Sequence, residues 1–98
     1  MTGRHVGAEE AAAIGLADEI APADDLLDTA LAAASRFASG PTRAYAAVKA
    51  AIGRGWDATL EQGLEIEAEE FTGVFGTEDA RIGVAAFLAK ERPDFVGR

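Results

Sequence analysis

The sequence predicts a mainly α-helical fold, four to five helices with one short N-terminal strand, and three observations carry that expectation. Apolar residues recur at three- and four-residue spacings through most of the 98 residues, the period that gathers them on one helix face. Gly, Pro, Asp and Thr interrupt those stretches where helices have to stop and start. One stretch alone, Leu16 to Ile20, alternates apolar and polar residues as a strand does.

The elements follow in order along a single segment, 1–98, with a loop, a short helix and the strand in 1–22 and helices plus a tail in 23–98. The first helix is expected over Ala8 to Ile14, ended by Gly15 in the left-handed conformation that glycine takes cheaply. Pro22 closes the strand, and Asp24 is the expected cap of the next helix, whose apolar stripe is Leu27, Leu31, Ala34, Phe37 and Ala38. Ser39-Gly40-Pro41 ends that helix and begins another, with Tyr45, Val48 and Ile52 on one face beside Lys49. The run Gly53 to Asp57 breaks the pattern, and Asp57 is the expected cap of the longest helix. That helix spaces Leu60, Leu64, Glu67, Phe71 and Val74 inward; a carboxylate on such a stripe must be paired or lie at a wet seam, and Lys49 and Arg43 are the candidate partners for Glu67. Thr77 caps a last helix through Lys90 containing Ile82, Ala86, Phe87 and Leu88, and an extended tail follows Pro93. Gly63, Gly73 and Gly83 each cost about 1 kcal/mol relative to Ala inside a helix, so close approaches are expected at them.

Composition narrows the function classes. Alanine supplies 23 residues, and a methyl offers about 0.8 kcal/mol on burial where a Leu or Phe side chain offers about 1.5–3 kcal/mol. The apolar core available to the chain is therefore thin, and together with a strand that has no visible partner it implies surfaces covered by material outside these residues. A net charge of −8 repels phosphate backbones and anionic lipid, which disfavours nucleic acid and membrane surfaces as partners. There is no cysteine for a disulfide, a thiolate nucleophile or a Cys-based zinc site. The apolar runs are far shorter than the ~20 residues of a membrane span, and a cytoplasmic location is expected.

No constellation of residues carries chemistry by spacing alone. His5 has no nucleophile or orienting acid near it in sequence, Ser35 and Ser39 lack a nucleophile-elbow context, and Glu61, Glu65 and Glu69 read as a solvated helix face rather than a metal site. Gly53 and Gly55 flank Arg54 between helices, a weak resemblance to a phosphate cradle. Lys90, Arg92 and Arg98 make the C-terminal stretch locally basic, suited either to an anion or to the negative end of a helix dipole. Catalytic and metal-ligating residues are therefore expected to be absent.

Four stretches in order resemble the C-terminal part of the enoyl-CoA hydratase/isomerase (crotonase) family: TGR at Thr2 to Arg4, AEEAAAIGLADEIAP from Ala8, the Lys49 helix after Pro41, and TEDARIGVAAFLAKERPDF from Thr77. The resemblance implies the helical trimerisation region of that fold, without the N-terminal catalytic core whose backbone amides stabilise a thioester enolate. It implies homo-oligomeric packing, an acyl-CoA substrate with no separate cofactor, and a segment inactive alone. By the same resemblance Phe71 lies near the adenine and Lys90 near the phosphates of coenzyme A. Glu91 stands where the family usually has Arg, and Ile82 where many members have Glu. The alternative function is a stand-alone acidic helical module for self-association or partner binding.

Overall fold

A computed structural model describes residues 3–98; Met1 and Thr2, the latter part of the TGR match, lie outside the described residues. Five α-helices follow one another: α1 (Ala8–Ala13), α2 (Leu26–Ala38), α3 (Thr42–Gly55), α4 (Leu60–Phe75) and α5 (Glu78–Ala89). The chain divides into two compact units, one ending at Ala33 and one spanning Ala34–Arg98.

In the first unit, α1 stops where expected. Gly15 takes φ 73°, and the N–H groups of Leu16 and Ala17 both donate to the Ala11 carbonyl, at 2.8 and 3.1 Å. Those bonds turn the chain back on the helix end, and the expected strand over Leu16–Ile20 does not form. No described residue offers the partner edge that a strand needs to satisfy its backbone groups. Arg4 holds Glu10 through two hydrogen bonds of 2.7 Å. The expected Asp24 cap is also corrected: Ala23–Asp25 form a 3₁₀ turn with Pro22 at its start and no side-chain cap, and α2 continues directly from it.

The second unit is organised around the pairing of α3 with α4, on which α5 packs more lightly. The face that α3 presents is the small one. On α3 the half-buried positions are Ala44, Ala47, Ala50, Ala51 and Gly55, while the expected Tyr45, Val48 and Ile52 face is exposed. On α4 they are Gly63, Ile66, Glu70 and Val74. A Cβ on Gly55 would stand 3.8 Å from the Cα of Gly63, so the two helices approach closely where α3 ends. A Cβ on Gly83 would meet the Phe95 ring at 3.5 Å, whereas one on Gly63 or Gly73 would meet nothing within 4 Å, so the close approaches expected to require glycine there are not found. At the α2–α3 turn, a side chain on Gly40 would collide with the Tyr45 ring, which stands edge-on to Phe37 with centroids 5.9 Å apart.

Two helix starts illustrate local chemistry. Thr59, not the expected Asp57, caps α4: its hydroxyl accepts from the Gln62 N–H at 3.3 Å, and the Gln62 side chain accepts from the Thr59 N–H at 3.2 Å. Thr77 caps α5 as its position predicts, accepting from the Ala80 N–H at 3.0 Å. Pro41 sits at the N-cap of α3, one position before the first turn.

Among the described residues no large apolar side chain is fully buried; the one buried residue is Asp79, 2% exposed. The stripe expected to point inward on α4 is uncovered except at half-buried Val74, with Leu60 81% and Phe71 64% exposed and Leu64 and Phe75 also open.

Candidate functional site

Phe71 lies in the last turns of α4, where the helix brings it within one turn of Phe75; the two rings pack edge to face at 5.0 Å and 81°. Both line an apolar groove of about 270 Å³ in the second unit, walled by Pro41 from the start of α3, Val84 from α5 and Phe95 from the tail. Alanines, valines and aromatic rings make most of its lining, with Thr77 and Asp79 also on its wall. A flat apolar group fits such walls by area and edge contact.

Lys90 is placed differently. It is the C-cap of α5, in the left-handed conformation at φ 57° and ψ 37°, with its N–H donating to the Phe87 carbonyl at 3.3 Å. Its side chain is exposed at the negative end of the helix dipole and is not part of the Phe71 groove. The structure thus sets the two residues at separate places on the unit rather than in one pocket.

The remaining sequence candidates resolve into structural roles. Glu67 is exposed, and neither Lys49 nor Arg43 pairs with it. Arg54 takes the ionic role instead, bonding Glu70 at 2.6 Å and Glu69 at 2.7 Å across the α3–α4 contact. Hydrogen bonds to Glu69 first and Glu70 second hold the Arg54 guanidinium above its ordinary range. Glu69 is thereby committed to Arg54, and Gly53 and Gly55 are helical residues of α3. His5 is exposed on the loop before α1. A hydrogen bond from Arg4 lowers the Glu10 carboxyl below its usual value against a smaller opposing desolvation. Among the described residues no group of His, Cys, Asp and Glu is arranged to hold a metal ion, and no helix is long and apolar enough to cross a membrane.

Sequence reasoning missed Asp79. It reads as an ordinary acid in a helix's first turn, yet its carboxylate accepts from the backbone N–H of Val96 at 2.7 Å and of Gly97 at 3.0 Å. The partners lie 17 and 18 residues away, and backbone amides carry no sequence signature. Arg98 adds an exposed ion pair to Glu78 at 2.9 Å.

The class of structure is a helical segment with a thin interior and open apolar faces. The sequence profile of the enoyl-CoA hydratase/isomerase family matches residues 1–98, and the chain belongs to that family. It is 40% identical over 98 residues to a protein described as a probable enoyl-CoA hydratase from Rhizobium meliloti (strain 1021), aligning all of this chain with 38% of that protein. It is 37% identical, again over all 98 residues and 38% of the relative, to the 2,3-dehydroadipyl-CoA hydratase of Escherichia coli (strain K12). A crystal structure of an enoyl-CoA hydratase from Geobacillus kaustophilus HTA426 superposes with a TM-score of 0.93 at 31% identity, covering 99% of this chain and 37% of that one. The chain therefore spans little more than a third of the relatives it matches, and it corresponds to their C-terminal segment.

Proposed function

We propose that the chain serves an enoyl-CoA hydratase/isomerase-type protein acting on acyl-CoA thioesters, as the segment that mediates oligomeric packing and completes the coenzyme A site. The observation that carries this reading is the uncovered apolar surface of α4 and α5, from Leu60, Leu64, Phe71 and Phe75 to Val84, Phe87 and Leu88, in a chain with no buried apolar side chain among its described residues. Each fully covered Leu or Phe contributes about 1.5–3 kcal/mol, so docking these faces supplies the stabilisation that the interior lacks.

In this reading the reaction belongs to groups outside the 98 residues. Activation of a thioester toward addition of water requires preorganised donors aimed at the developing enolate oxygen, and no residue of this chain is assigned that task. Phe71 offers an apolar edge to the adenine and Lys90 an ammonium to the phosphates of coenzyme A. No cofactor beyond the acyl-CoA substrate is needed, and the location is cytoplasmic. The test is hydration of crotonyl-CoA by the purified chain. No turnover is expected from it alone, while turnover rising in proportion to chain concentration would contradict the proposal. A defined oligomer that ignores coenzyme A would favour the stand-alone helical module instead.

A further inference from the structure

The residues in the left-handed region among those described are Gly3, Gly15, Gly97 and Lys90. Three are glycines, which enter that region without steric penalty; Lys90 is not, and a side chain there has to be held. The chain beyond it supplies a hold. Glu91 donates to the Ala86 carbonyl at 2.9 Å, Phe95 packs at Gly83, and Val96 and Gly97 donate to the Asp79 carboxylate, while the Asp79 N–H donates to the Arg98 carbonyl at 3.0 Å. Contacts step from residue 86 through 83 to 79 as the tail advances, so the tail runs back antiparallel along α5. Asp79 to Lys90 spans roughly 16 Å of helix, and six residues from Lys90 to Val96 reach at most about 20 Å. The tail covers that distance in extended form.

We infer that Asp79 is a positioning residue for Lys90: its carboxylate pins the returning tail at the base of α5, and the pinned tail, together with the Glu91-to-Ala86 bond, holds the left-handed turn from which the Lys90 side chain leaves. Gly97 completes the pin. It has φ 78°, and a Cβ on it would stand 3.1 Å from Thr42 Oγ1, so any other residue there is both strained and crowded against α3. Because Asp79 is the one buried residue among those described, its bonds to the tail are shielded from competing water. The inference rests on the reading of Lys90 as a phosphate contact only for its consequence in binding; the mechanical link stands on the contacts themselves.

The test uses the full chain and two independent lesions, Asp79→Ala at the carboxylate and Gly97→Ala at the tail. Hydrogen exchange of the Glu91–Gly97 amides is expected to quicken about 10- to 100-fold, since hydrogen bonds to a charged group are lost. The Lys90 HN–Hα coupling and chemical shift are expected to move with it, the α3 and α4 amides staying in place, and the Lys90 response to added coenzyme A to disappear. Asp79→Asn, which keeps one acceptor oxygen, is expected to restore part of each signal. If the tail opens and the Lys90 signals stay unchanged, the helix end alone holds Lys90 and the inference is overturned. If Lys90 in the unaltered chain ignores coenzyme A yet still moves when Asp79 is removed, the positioning link holds and the coenzyme A reading of Lys90 fails.

Discussion

Glu67 lies with Leu60, Leu64 and Phe71 on the open stripe of α4, while Gly63, Ile66, Glu70 and Val74 half-bury themselves against α3. Both sets obey helical spacing, so the period identifies a helix without choosing which stripe faces in. The choice falls to the alanines and Gly55 on α3, which bring that helix close to α4 at Gly63, and Arg54 then closes the seam on Glu69 and Glu70. An exposed carboxylate needs no partner. Substituting Glu67→Gln is accordingly expected to change stability by no more than about 0.5 kcal/mol, the ordinary range for surface positions. A thermal melt of the variant checks this, and a large drop in Tm would mean that Glu67 is paired after all. Phe71, on the same stripe, is where the sequence expectation of an inward residue and the structure part company. Its exposed ring is open to a partner or ligand.

Helix identity was legible along the chain, and helix starts were less so. Thr77 and the left-handed Gly15 are where sequence chemistry places them, because a hydroxyl three residues before a free N–H, or a glycine after the last periodic residue, has few competing uses. Asp57 and Asp24 fail for a shared reason: a stronger local solution lies next to each. Thr59 with Gln62 forms a reciprocal pair two residues after Asp57, and the 3₁₀ turn after Pro22 feeds α2 without any side-chain cap. The Leu16–Ile20 alternation failed because a strand is defined by a neighbour. A helix closes its own hydrogen bonds; a strand does not. At α4 the account predicts that Thr59→Ala lowers stability by about 1 kcal/mol through the lost cap. Chemical denaturation should show this as a lower midpoint with unchanged slope, whereas an unchanged midpoint would show that Asp57 can take over the start of the helix.

Over the whole molecule, the thin interior was readable from 23 alanines, and the family from four motifs in order. The tail pinned at Asp79 was not, since its acceptor meets anonymous backbone N–H groups 17 and 18 residues away. The exposed apolar faces of α4 and α5 remain in an acidic chain whose net charge of −8 opposes nonspecific clumping. The chain matches about 38% of its relatives' length, and the central claim is that its apolar faces are built to be covered. Native mass by sedimentation equilibrium tests this most directly. The account predicts a species heavier than the 10.1 kDa chain that dissociates on dilution. A monomer of that mass at every concentration, stably and cooperatively folded, would contradict it.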